Sequence, residues 1–99
     1  MEQAVIVHFE YGSTDLNRLF ALQDRLEDVL AETKAGELDG NEVAVDGSDG
    51  FLYLYGPDAD RLYDAILLTL QSADFMKNAK VTLRYGPPED GVREAKVVL

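Results

Sequence analysis

The spacing of apolar residues along this chain switches repeatedly between two periods, and the order of those switches restricts the fold more than any single motif. Residues 4–11 alternate, with Val5, Val7, Phe9 and Tyr11 falling to one side at period two, as in a half-buried strand. After Gly12, the run Ser13-Thr14-Asp15 supplies helix N-cap candidates. Leu16, Leu19, Phe20, Leu26, Val29 and Leu30 then recur at three- and four-residue spacing up to Lys34-Ala35-Gly36. The spacing predicts an amphipathic helix, with Asp24, Arg25, Glu27, Asp28 and Glu32 forming its solvated face. Alternation returns at 41–46, placing Val43 and Val45 inward, and Gly47-Ser48-Asp49-Gly50 reads as the turn into a third strand, Phe51 to Tyr55. Gly56-Pro57-Asp58 ends that strand, with Asp58 placed to cap a second helix. Its stripe is Leu62, Ile66, Leu70 and Ala73, widened by Tyr63 and Leu67. Residues 80–85 alternate again, placing Val81, Leu83 and Tyr85 on one side. Gly86 to Gly91 form a turn, and 92–99 close a last hairpin.

The resulting order is β-α-β-β-α-β with one extra C-terminal strand. Right-handed crossovers fold such an order into a four-stranded antiparallel sheet with both helices on one face. This α+β arrangement resembles the ferredoxin-like plait over nearly the whole chain. The resemblance is one of topology, carries no family signature, and implies no specific activity. With 99 residues, no repeat and no linker, the expectation is a single α+β domain over 1–99.

A plait leaves one sheet face bare. If Val5, Val7, Phe9, Val43, Val45, Leu52, Leu54, Val81 and Leu83 face the helices, then Ile6, His8, Glu10, Glu42, Ala44, Asp46, Phe51, Tyr53, Tyr55, Lys80, Thr82 and Arg84 face away. Three aromatics, Phe51, Tyr53 and Tyr55, then line one internal strand near His8 and Arg84. Aromatics flanked by charges fit the core and rim of a protein interface, so these five residues are the candidate interaction site. The expected partner is a second copy of the chain or another protein.

The stretch Asp49-Gly50-Phe51-Leu52-Tyr53-Leu54-Tyr55 looks like the aromatic strand motif of RNA recognition motifs. It departs from that pattern at Asp49, where the motif has Lys or Arg, and at Leu52, where it has Gly or Ala. It departs again at His8, where the first strand supplies an aromatic platform. The formal net charge of −10 adds repulsion of a phosphate backbone. Residues 1–64 hold fifteen acids and four bases, whereas 65–99 hold four acids and five unclustered bases. No nucleic acid is therefore expected as a partner; the acidic part serves solubility or meets a basic partner, as an inhibitor or immunity-type protein would.

Catalytic chemistry finds little support in the inventory. The chain has no cysteine, which removes disulfides, thiolate nucleophiles and cysteine zinc sites. His8 is its one histidine, so no multi-histidine metal site exists, and Ser13, Ser48 and Ser72 lack a nucleophile-elbow context. The loop Asp46 to Gly50 fails as a calcium loop, because Phe51 stands at its sixth position and Pro57 at its twelfth. No glycine spacing cradles phosphate, so no cofactor is expected. The expectation is a non-catalytic interaction or regulatory module. Two other readings compete: a metabolite sensor similar to ACT domains, binding near Gly12 to Asp15, and an enzyme using His8 with Glu10 or Tyr53. No leader pattern and no apolar run near the length of a membrane span is seen, so a cytoplasmic protein without membrane contact is expected.

Overall fold

The structure is a computed structural model and describes residues 2–99. Five strands, β1 (Gln3–Glu10), β2 (Glu37–Val43), β3 (Asp49–Gly56), β4 (Lys80–Arg84) and β5 (Glu94–Val98), form one antiparallel sheet in the order β2-β3-β1-β4-β5. Helices α1 (Asn17–Thr33) and α2 (Ala59–Gln71) follow β1 and β3, and a single 3-10 turn, Asp74–Met76, leads into β4. The fold is thus α+β with two helices and a five-stranded antiparallel sheet.

The core forms where the inward strand residues meet the helix stripes. Val5, Val7, Phe9, Leu52, Leu54, Val81 and Leu83 are buried against Leu19, Leu22, Leu26 and Leu30 of α1 and Leu62, Ile66 and Leu70 of α2. This is the period-two and period-3.6 pattern of the sequence, closed into one cluster. Phe9, Tyr11 and Phe75 add an aromatic corner with ring centroids 5.1–6.2 Å apart, to which the 3-10 turn contributes Phe75. Removing apolar surface from water at these positions is the main driving term for the fold.

Asp58 caps α2 as expected, its carboxylate accepting from the Arg61 amide at 3.1 Å. The start of α1 is different. Leu16 occupies the N-cap position without a side-chain cap, while Ser13 and Asp15 accept amide hydrogens from Asp15 and Asn17 in the approach to the helix. At its other end Lys34, not a glycine, takes the left-handed conformation, with φ 56°. Phe20, expected in the stripe, is 47% exposed, and Leu22 takes the buried place instead.

The second strand departs most from expectation. It runs Glu37–Val43 rather than 41–46, and a bulge between Leu38 and Gly40 interrupts its pairing with β3. Ala44 to Gly47 form the turn, closed by the Gly47 amide on the Ala44 carbonyl at 2.8 Å. Val45 sits at the tip, fully exposed, and Ala44 and Asp46 lie in the turn rather than on the sheet. Asp49 and Gly50, read as turn residues, are the first two of β3. The shift has a physical cause. Gly47 adopts φ +73° and its carbonyl accepts from the Gly12 and Ser13 amides at 2.7 and 3.1 Å, so the turn is pinned to the β1–α1 loop. A Cβ at Gly47 would collide with the Ser13 carbonyl, which leaves glycine as the residue that fits there.

Candidate interaction face

Both helices pack on one side of the sheet, so the side chains that alternate away from the core share a single open face. Register places them in three rows across all five strands. One row runs Glu37, Tyr55, Ala4, Arg84, Glu94; the next runs Gly40, Tyr53, Ile6, Thr82, Lys96; the third runs Glu42, Phe51, His8, Lys80, Val98. The five residues singled out from sequence, His8, Phe51, Tyr53, Tyr55 and Arg84, therefore all lie on this face, and each is half-buried. Ala4, whose burial the alternation did not anticipate, is fully buried between its row neighbours Tyr55 and Arg84.

Three of the rings form a continuous ladder. His8 stacks on Phe51 with centroids 4.3 Å apart and an interplanar angle of 8°, and Phe51 stacks on Tyr53 at 6.0 Å and 15°. The His8 Nε2 lies 2.7 Å from the Asp49 carboxylate, with the two side chains 40% and 42% exposed. Glu10, the neighbour expected from sequence, is not the partner. Desolvation holds the Tyr53 phenol above its ordinary range, and the charge of Glu42 and a hydrogen bond to it push the same way. Arg84 turns its Nε to the Gly86 carbonyl at 2.8 Å, anchoring the end of β4.

Charge on this face is divided by strand. β2 and β3 present Glu37, Glu42 and Asp49 and no base. β4 and β5 present Lys80, Arg84 and Lys96, with Glu94 drawn 3.6 Å from the Lys96 ammonium. The C-terminal strand extends the sheet at its β4 edge and leaves the aromatic strand uncovered.

Near one end of the sheet a cleft of about 680 Å³ is lined by His8, Glu10, Tyr11, Gly12, Arg18, Asp49 and Phe75, among others. The Arg18 guanidinium sits over the Tyr11 and Phe75 rings at 5.1 and 5.4 Å. Of the loop expected to hold a metabolite, Gly12 to Asp15, Gly12 lines this cleft. Among the described residues no helix is long and apolar enough to cross a membrane.

No family model and no curated protein matches the chain. Among solved structures it is similar to that of Rv0793 from Mycobacterium tuberculosis, with 18% sequence identity and a TM-score of 0.62. The match covers 92% of this chain and 99% of that one. At that identity the likeness is one of fold alone.

Proposed function

We propose that this chain is a non-catalytic protein-interaction module that associates with a second copy of itself through the open sheet face. One observation carries the reading: the uncovered face holds a stacked His8-Phe51-Tyr53 ladder, continued along β3 by Tyr55 and fenced by charges. Half-buried aromatics with a charged rim match the make-up of interface cores, where burial of ring surface supplies affinity and the rim excludes water. The acids beside the ladder, Glu10, Glu37, Glu42 and Asp49, oppose phosphate, which favours a protein over a nucleic acid. In fold terms we read the chain as a ferredoxin-like plait with a fifth strand added. That reading is supported by the antiparallel run β2-β3-β1-β4 and by a helix after each of β1 and β3.

Light scattering over a concentration series tests the reading. The wild-type chain is expected to approach twice its 11.0 kDa mass, and Tyr53→Ser to return it to the monomer while leaving the circular dichroism spectrum unchanged. A monomer in both cases would move the functional reading to the cleft beside Gly12 and to a small ligand.

A further inference from the structure

The open face is not only apolar; its two halves carry opposite charge, and that asymmetry constrains how two copies can meet. Resting on the homodimer reading above, we infer that the two-fold axis of the pair runs along β1, laying the acidic β2–β3 half of each face on the basic β4–β5 half of the other.

Two sheets that pack face to face as an isologous dimer are related by a two-fold axis lying in the plane between them. The limiting choices are an axis along the strands and an axis across them. β1 is the middle of the five strands, so an axis along it sets β3 over the partner's β4 and β2 over the partner's β5. Phe51, Tyr53 and Tyr55 then oppose the partner's Lys80, Thr82 and Arg84. Lys96 opposes the partner's Gly40, one row from Glu42, while Glu37 falls opposite the partner's Glu94, whose carboxylate lies 3.6 Å from its own Lys96 ammonium, and Glu10 on β1 meets its own copy. An axis across the strands sets every strand over its own copy. With that axis through the middle row, Lys80 would meet the partner's Arg84, Lys96 its own copy and Glu37 the partner's Glu42, with like charges losing water together.

The same division argues for a second copy over an unrelated partner. The chain carries nine bases against nineteen acids, so most of its surface repels another copy. Three of those nine bases are gathered in one half of this face, opposite a half that has none. Under one rotation each half of the face meets the half of opposite net charge.

Charge reversal tests the axis, with dissociation constants read by sedimentation or light scattering. Glu37→Lys/Glu42→Lys makes the net charge less negative, so general repulsion alone predicts a tighter dimer. The proposed axis instead predicts a dissociation constant raised roughly tenfold or more, because the new charge at 42 stands beside the partner's Lys80 and Lys96 and that at 37 beside the partner's Arg84, outweighing the relief of 37 against the partner's Glu94. Combining that pair with Lys80→Glu/Lys96→Glu leaves the net charge of the chain unchanged and is expected to restore the wild-type constant. A wild-type chain that stays monomeric overturns the homodimer reading and the axis with it. A dimer that Tyr53→Ser splits, but that Glu37→Lys/Glu42→Lys leaves as tight or tighter, overturns the axis alone. So does a four-fold variant no tighter than its weakened parent.

Discussion

Tyr85 ties the last hairpin to the second helix through one hydrogen bond, its hydroxyl donating to Asp60 at 2.6 Å, while the Arg93 guanidinium covers its ring at 4.7 Å. The bond to Asp60 holds the phenol above its ordinary value, aided by desolvation and opposed by the charge of Arg93. Because the folded value is the raised one, the contribution to stability is fully present below the unfolded phenol's titration, near pH 10, and is lost as pH rises through the folded value. Urea midpoints measured from pH 7 to 11.5 are expected to fall at the alkaline end, and Tyr85→Phe to flatten that fall. A wild-type slope kept by the Phe variant would remove the role assigned to this bond. At the same scale His8 shows where reading by spacing stops. Residues two apart in a strand share a face, which made Glu10 its expected partner. The diagonal neighbour on the paired strand, Asp49, reaches it instead. Strand register, which no local spacing encodes, decides between them.

Elements were legible in proportion to how far their local chemistry agreed with their packing. Helix α2 was readable at both levels: Asp58 stands where a cap is needed, and Leu62, Ile66 and Leu70 repeat at the spacing of one helix face. Asp58→Ala is therefore expected to cost about 1 kcal/mol, seen as a lower urea midpoint with an unchanged denaturant slope. An unchanged midpoint would mean that the amide at Arg61 finds another acceptor. Strand β2 lies at the other extreme. Glu37-Leu38-Asp39-Gly40-Asn41 has little strand propensity, and its pairing with β3 is imposed from outside. The better-looking alternation at 43–46 is broken because Gly47 must meet the β1–α1 loop, which turns Val45 out into solvent. The Asn41 side chain, donating to Gln23 at 2.6 Å, helps hold this edge strand to α1.

For the whole molecule, the open face sets the scale of any self-association. Five strands about 4.8 Å apart and five to eight residues long, at roughly 3.3 Å each, give a face of roughly 500 Å² in projection. That lies toward the small end of stable interfaces, so the dimer is expected to be reversible and its unfolding midpoint to rise with protein concentration, by roughly 5 °C or more per hundredfold. A midpoint independent of concentration would count against self-association at this face. Taken alone, the sequence determined the α+β class, the element order, most of the core and the sharing of one face by His8, Phe51, Tyr53, Tyr55 and Arg84. Each follows from periodicity, which is a local property of the chain. Only the tertiary structure decided that β5 extends the sheet instead of covering the aromatics, that β2 starts at Glu37, that His8 meets Asp49, and that the lysines and arginine of the open face gather on its β4–β5 half. These depend on strand order and register, which are set by contacts between residues far apart in the chain.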